Sequence, residues 1–104
     1  MARPYWTRTG LRSIEALGDY LDAASPGYAG RLLEGILDAV QVLDEYPRIG
    51  RVVPEINEAT FRELIFQKYR IVYELTEGRP CILLVVHAAT DLEAELRRRG
   101  IRPS

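Results

Sequence analysis

Few side chains in this sequence could carry out catalysis. The chain has one histidine, His87, and one cysteine, Cys81, and its serines are Ser13, Ser25 and Ser104. The imidazole is the one side chain of a type that exchanges a proton near neutral pH. A single cysteine permits no internal disulfide and no cysteine-based zinc site. Because the sequence also lacks a glycine-rich phosphate loop and a paired-ligand metal motif, we expect no metal and no cofactor.

Arginine supplies nearly all of the positive charge, with Lys68 as the single lysine. Arg62 and Arg70 fall in two neighbouring predicted strands, and period-two alternation allows them to share one face of the sheet. Together they could bind an anion. The alternative is structural, in which they pair with Glu63, Glu74 or other nearby carboxylates.

Other arginines lie where a partner could reach them. Arg51 follows a glycine in a predicted loop, where it could either hold the loop by bonding carbonyl groups or face a partner. Arg97, Arg98 and Arg99 form a run at the end of a predicted helix. That run is either a solvated helix end or a contact for a macromolecule, and both interpretations stay open.

Length and composition indicate one ordinary soluble domain over residues 1–104. The chain is 47% apolar and 28% charged, which is too hydrophobic for a disordered protein. Its net charge of -1 gives no general attraction to phosphate, so we do not expect direct nucleic-acid binding. No segment is long and apolar enough to span a membrane, and the N-terminus lacks an apolar signal core. We therefore expect a cytoplasmic protein with no membrane contact.

The first half of the chain predicts a helical hairpin. A short strand at residues 5–8 precedes a helix that Thr9 could cap. Ser25-Pro26 is a helix-start signal, and the apolar stripe that follows predicts a helix as far as Tyr46. Pro47 should end that helix. Two helices joined by so few residues should pack antiparallel.

The second half changes from helical to strand periodicity. A loop at residues 47–59 is followed by predicted strands at 60–66, 69–76 and 81–86. A short helix should begin near Thr90. The order β-α-α-β-β-β-α predicts an α+β fold in which an antiparallel sheet packs against the N-terminal helical hairpin, with the helices on one face. We also expect the N-terminal strand to lie beside the last core strand.

This element order, together with five segments, resembles the RelE/ParE superfamily of toxins from type II toxin–antitoxin systems, and the ParE branch in particular. The segments are Leu43-Asp44-Glu45-Tyr46-Pro47, Gly50-Arg51 with Pro54-Glu55, Phe61-Arg62-Glu63-Leu64, Tyr69-Arg70-Ile71-Val72-Tyr73-Glu74, and Ile82-Leu83-Leu84-Val85-Val86-His87-Ala88. The resemblance covers roughly residues 5 to 99. It implies a cognate antitoxin as partner, ParD-like or similar. It also implies one of two activities, namely inhibition of DNA gyrase in ParE-like members or cleavage of mRNA on the ribosome in RelE-like members.

The residues that RelE-like enzymes use are only partly present. Arg62 matches the first basic position of the hairpin and Arg70 matches a later one, but Leu64 stands where a second cation would be needed. Near the C-terminus, His87 is followed by Ala88-Ala89-Thr90-Asp91, with neither the arginine nor the tyrosine of those enzymes. If the chain were a ribonuclease, Arg62, Arg70 and His87 would have to carry the reaction.

We therefore expect a protein that acts by binding and not by its own chemistry: a ParE-like toxin that inhibits DNA gyrase and is neutralised by an antitoxin. Arg51, Arg62, Arg70, Arg97 and Arg98 are the candidate partner-binding residues. The alternatives are a RelE-like endoribonuclease and a non-toxic binding module of the same fold.

Overall fold

The computed structural model describes residues 3–101. It confirms the α+β class and the N-terminal helical hairpin. The elements are β1 (Tyr5–Trp6), α1 (Arg8–Ala24), α2 (Tyr28–Val40) with a 3-10 turn at Gln41–Asp44, β2 (Arg51–Val52), β3 (Phe61–Phe66), β4 (Tyr69–Thr76), β5 (Arg79–His87) and α3 (Leu92–Arg98).

The described strands form one sheet in the order β1-β5-β4-β3-β2. β2 to β5 pair antiparallel, as expected, and β1 adds a parallel pair against β5. This confirms that the N-terminal strand lies beside the last core strand. The predicted loop at 47–59 is wrong in one respect, since it contains β2, whose two residues pair with Arg62 and Glu63 of β3.

The helical hairpin begins and ends differently from the sequence prediction. Thr7 and not Thr9 caps α1, because its hydroxyl accepts the N–H of Gly10 at 3.0 Å. Ser25 closes α1, and α2 starts only after Gly27, whose φ of 87° turns the chain. The predicted helix to Tyr46 is also too long, because α2 ends at Val40 and its last turn tightens to 3-10 geometry before the proline.

The N-terminal turn of α1 covers the outer edge of β5. The Thr7 N–H and hydroxyl both donate to the carbonyl of Ile82, at 3.1 and 2.7 Å. The Ser13 hydroxyl accepts the Val85 N–H at 2.9 Å. A Cβ on Gly10 would lie 2.3 Å from the Ile82 carbonyl oxygen, so only glycine allows this approach. The helix thereby satisfies an edge that would otherwise be open.

Each face of the sheet has its own apolar cluster, and the expectation that all helices lie on one face is wrong. α1 and α2 pack on one face, where buried residues include Ile36, Leu43, Ile71, Tyr73 and Ile82. α3 packs on the other face, because Leu92 and Leu96 join the second cluster with Val53, Phe61, Val72 and Leu84. We call these the hairpin face and the α3 face.

Candidate functional site

Arg62 lies on the hairpin face of β3 and is used to hold a loop. Its Nε donates to the carbonyl of Ala59 at 2.9 Å, and one terminal nitrogen donates to the carbonyls of Arg48 and Gly50 at 3.1 and 3.0 Å. Its cross-strand neighbour Tyr73 is fully buried. Arg62 thus fixes the loop through its carbonyl groups, a role that the sequence suggested for Arg51.

Tyr73 completes this attachment and was not singled out from the sequence. Its hydroxyl donates to the Pro47 carbonyl at 2.8 Å and accepts the Gly50 N–H at 3.0 Å. Burial raises the pKa of the Tyr73 phenol, outweighing the opposing effect of the Gly50 hydrogen bond. A Cβ on Gly50 would lie 2.6 Å from the Tyr73 hydroxyl and 2.7 Å from the Glu63 carbonyl oxygen. The loop therefore needs glycine at this position.

On the α3 face, two arginines and two glutamates form a continuous network that we call the clamp: Arg51, Glu55, Glu63 and Arg70. Glu63 is 1% exposed. One of its oxygens accepts Nε of Arg51 and the other accepts Nε of Arg70, both at 2.6 Å. The terminal nitrogens of Arg70 bind both oxygens of Glu55 at 2.7 Å in a fork-to-fork pair.

The clamp is electrically balanced and joins three strands to the loop after β2. The hydrogen bond from Arg70 lowers the pKa of Glu55 from 4.5 to about 2, against the opposing effect of desolvation. The same pair with Glu55 raises the pKa of Arg70. Both charges therefore persist at any physiological pH. The structural alternative considered for Arg70, pairing with Glu63, is what the structure shows.

Arg62 and Arg70 lie on opposite faces of the sheet, so the suggestion that they share a face is wrong. The two-residue turn at Gln67-Lys68 sets the register in which Arg62 pairs with Tyr73 and Ile65 pairs with Arg70. Residues paired across strands point to the same face. Sequence alternation fixes which residues of one strand share a face, but only the register relates the two strands.

His87 lies at the other end of the sheet from Arg62. It pairs with Tyr69, four positions along β4 from Tyr73, which corresponds to about 13 Å. Its Nδ1 accepts the Ala89 N–H at 3.0 Å, and its exposed ring meets the Tyr69 ring edge-on, with centroids 5.5 Å apart. Arg62, Arg70 and His87 therefore do not converge on one reacting group.

The C-terminal arginines differ from one another in their contacts. Arg98 and Arg99 both bond Glu95 one turn earlier. Burial tends to raise the pKa of Glu95, but the hydrogen bonds from Arg99 and Arg98 outweigh it and leave the pKa below its usual value. Arg97 is exposed and makes no ion pair within residues 3–101.

A cavity of about 370 Å³ lies at the His87 end of the sheet. We call it the β5-end cavity. It is lined by Leu17, Tyr20, Leu21, Tyr69, Val85, Val86, His87, Thr90 and Glu95. Apart from His87, none of these residues was selected from the sequence, because α1, the sheet and α3 come together here from distant parts of the chain.

Comparison with known families decides the identity of the fold. The profile of the ParE toxin of the type II toxin–antitoxin system parDE matches residues 5–92. The chain belongs to this ParE toxin family. A Caulobacter vibrioides protein named Toxin RelE2 is 36% identical over 90 residues, covering 86% of this chain and 98% of the relative. A Sinorhizobium fredii protein named Putative toxin Y4kP is 36% identical over 85 residues, covering 80% and 84%.

A solved structure shows the same fold at low sequence identity. The structure, described as the chromosomal ParDE TA system from P. aeruginosa, aligns with a TM-score of 0.71 and 19% identity. The alignment covers 84% of this chain and 96% of the other. The profile match and the two relatives confirm the resemblance to the RelE/ParE superfamily. Membership in a ParE family implies an antitoxin partner.

No group of three or more histidine, cysteine, aspartate or glutamate residues within positions 3–101 could hold a metal ion. Within the same range, no helix has the length and hydropathy needed to cross a membrane.

Two informative site residues of this ParE-family chain, Glu63 and Tyr69, were not selected as site residues from the sequence. Glu63 was considered only as a possible partner, although it stands between Phe61 and Ile65 on one side of a strand. A carboxylate within such an apolar alternation, with an arginine on the next strand, is a recognisable signal for a buried ion pair. No sequence pattern marks Tyr69 as a site residue, because an aromatic residue at the start of a strand is typical of the hydrophobic core.

Proposed function

We propose that this ParE-family toxin inhibits DNA gyrase by binding it, without cleaving a substrate of its own. Gyrase is the target that the resemblance to the ParE branch implies, and the profile match over residues 5–92 supports that branch. The name of the Caulobacter relative, Toxin RelE2, points to the other branch. The choice between them therefore depends on the chemistry of this chain.

The observation that carries the proposal is the dispersal of the three candidate catalytic residues. Cleavage of RNA by its own 2′-hydroxyl requires a base, a proton donor and cations around one phosphate. Here the guanidinium groups of Arg62 and Arg70 lie on opposite faces of the sheet. His87 is level with Tyr69 and not with Tyr73, the neighbour of Arg62.

The two guanidinium groups are also engaged within the protein. Arg70 is 7% exposed and all three of its nitrogens bond carboxylates. Arg62 donates to three carbonyl groups. A phosphate would have to displace these short bonds to use either side chain. We therefore assign both arginines to holding the scaffold on which binding residues are displayed.

The remaining candidates can reach a partner. Arg51 has a 60% exposed side chain and uses only Nε within the clamp, so its two terminal nitrogens are available. Arg97 and Arg98 are exposed at the end of α3. We propose Arg51, Arg97 and Arg98 as contacts to acidic groups of the target or of the antitoxin. The buried Glu63 holds the Arg51 guanidinium in place, which lowers the entropy cost of such a contact.

The decisive experiment exposes the two possible targets, DNA gyrase and translating ribosomes, to the purified toxin. We expect linear, gyrase-linked DNA to accumulate in a gyrase cleavage assay, and messages on translating ribosomes to remain intact. The matched variant is His87→Ala, which removes the candidate base and is compared with the wild type in the message-cleavage arm. Cleavage of messages by the wild type that disappears in His87→Ala would overturn the proposal in favour of a ribonuclease.

Expression in bacteria lacking the antitoxin gives an independent readout. Gyrase inhibition predicts filamentous growth arrest with induced DNA damage, whereas a ribonuclease predicts arrest with rapid loss of messages. Normal growth at verified expression would identify a binding module without toxicity and would also overturn the proposal.

A further inference from the structure

The β5-end cavity is bordered by a hydroxyl group that the fold does not use. Tyr69 is 6% exposed and lines the cavity. Its hydroxyl makes no hydrogen bond to any residue in the described range 3–101, unlike the hydroxyl of Tyr73. Within that range no side-chain oxygen is sealed away without a partner. The Tyr69 hydroxyl therefore opens onto the cavity.

The phenol remains a hydrogen-bond donor at neutral pH. Burial raises the pKa of Tyr69, and the nearby phenols of Tyr28 and Tyr20 raise it further. A neutral phenol can donate one hydrogen bond and accept others. A buried tyrosine normally finds a partner for its hydroxyl. The Tyr69 hydroxyl is instead accessible at the cavity, where another molecule can supply the partner.

His87 places a second donor at the same wall. Because its Nδ1 accepts the Ala89 N–H, the neutral imidazole carries its proton on Nε2. The edge-on contact with the Tyr69 ring limits the orientation of the imidazole. Nε2 makes no hydrogen bond to a residue in the described part of the chain. Two donors without internal partners therefore border one cavity.

The rest of the lining selects the chemistry of the occupant. Leu17, Leu21 and Val85 provide an apolar floor. Among the lining residues that the structure describes, Glu95 carries a full charge that Arg98 and Arg99 neutralise, and none is an arginine or a lysine. An apolar floor and two hydrogen-bond donors suit an apolar protein side chain beside an acceptor oxygen, and a lining without arginine or lysine disfavours a nucleic-acid backbone.

We propose that the β5-end cavity anchors the protein target of this toxin by taking one large apolar side chain, with an acceptor oxygen of the same segment at the Tyr69 hydroxyl. Interfaces of this kind derive most of their affinity from a few such anchors in desolvated pockets. The inference rests on the proposed function, because a toxin that acts by binding must hold its target. It adds the location and chemistry of the contact.

Two substitutions test the cavity with matched controls. Tyr69→Phe removes only the unpartnered hydroxyl, and its control is Tyr46→Phe at a tyrosine that is 58% exposed and outside the lining. Thr90→Trp fills the cavity with an indole, and its control is Thr76→Trp at the exposed end of β4. Thermal unfolding of each variant verifies that it is folded.

The first measurement does not depend on any target. N-acetyl-phenylalaninamide is titrated into the protein and followed by NMR. A ligand of this size should bind with a Kd on the order of 1 mM. We expect the resonances of Leu21, Tyr69 and His87 to shift, about tenfold weaker binding in Thr90→Trp, and no change in Thr76→Trp. Absence of shifts at the cavity residues up to about 10 mM would overturn the inference.

The second measurement is toxicity in cells without antitoxin, together with affinity for purified gyrase. We expect Thr90→Trp to abolish growth arrest and Tyr69→Phe to weaken gyrase affinity about tenfold, the effect of losing one buried hydrogen bond. Both controls should match the wild type. Unchanged toxicity in a folded Thr90→Trp would overturn the inference, as would loss of antitoxin binding alone.

The two proposals fail in different ways. If the wild type does not bind gyrase but Thr90→Trp still abolishes toxicity, the proposed target is wrong and the cavity anchors another protein. If the wild type binds gyrase and Thr90→Trp binds equally well, the target stands and the cavity assignment is wrong.

Discussion

The clamp and the β5-end cavity both collect polar side chains on the sheet, but they use them in opposite ways. In the clamp, every nitrogen of Arg70 meets a carboxylate oxygen, and Glu63 is fully enclosed. In the cavity, the Tyr69 hydroxyl has no partner among residues 3–101. A completely satisfied network fixes the backbone, whereas an unsatisfied donor at an open wall is available to another molecule. The difference separates a structural region from a recognition region.

We expect the largest effect from removing the buried carboxylate of the clamp. Glu63→Ala leaves the Arg70 guanidinium buried with one carboxylate fewer, and we expect a loss of about 3–5 kcal/mol in the free energy of unfolding. Chemical denaturation measures it. Glu93→Ala, at an exposed carboxylate of α3, is the control and should change stability by less than about 0.5 kcal/mol. A loss below about 1 kcal/mol for Glu63→Ala would mean that the clamp does not hold the fold.

We expect the next largest effect in the loop that Arg62 and Tyr73 hold. Gly50→Ala places a methyl group 2.6 Å from the Tyr73 hydroxyl and 2.7 Å from the Glu63 carbonyl oxygen. We expect about 1–3 kcal/mol of destabilisation from this overpacking. Gly30→Ala is the matched control, because its Cβ would meet nothing within 4 Å and alanine favours the helix. Equal melting temperatures for the two variants would contradict the close contact at Gly50.

The clamp also predicts how stability depends on pH. Because the pKa of Glu55 falls from 4.5 to about 2 on folding, its stabilising effect is complete above about pH 4.5 and is lost as the pH falls toward 2. We expect about 1–2 kcal/mol, since the carboxylate is partly exposed and solvent screens the pair. Unfolding experiments between pH 5 and pH 2 measure this loss. A Glu55→Gln variant should lose less stability than the wild type over that range, and parallel curves would refute the assignment.

More of the fold than of the clamp or the β5-end cavity could be predicted from the sequence. The order of the helices and longer strands and the bounds of β4 followed from periodicity and turn residues, because these are local signals. The position of β1 beside β5 was also expected, but no local signal predicts a long-range pair. β2 did not, since two residues show no period. To predict that Arg62 shares a face with Tyr73, one needs the register of the hairpin. That register depends on the geometry of the Gln67-Lys68 turn and on packing.

The clamp and the β5-end cavity also differ in how far the sequence predicts them. The clamp left a trace in the sequence, because opposite charges stand at apolar-face positions of neighbouring strands. The β5-end cavity left no such pattern, although His87 was selected, since its walls come from α1, two strands, Thr90 and α3. A cavity is a property of how elements meet. No local sequence pattern locates it.

The smallest effect compares the two buried tyrosines directly. Tyr73→Phe removes a hydroxyl with two hydrogen bonds, and we expect about 1–2 kcal/mol of destabilisation because the Gly50 N–H loses its acceptor. Tyr69→Phe removes a hydroxyl with no partner in the described chain, and we expect a change below about 0.5 kcal/mol. Denaturation midpoints of the two variants measure the difference. A destabilisation by Tyr69→Phe equal to that of Tyr73→Phe would show that the fold itself uses the Tyr69 hydroxyl, which removes the physical basis for recognition at the cavity.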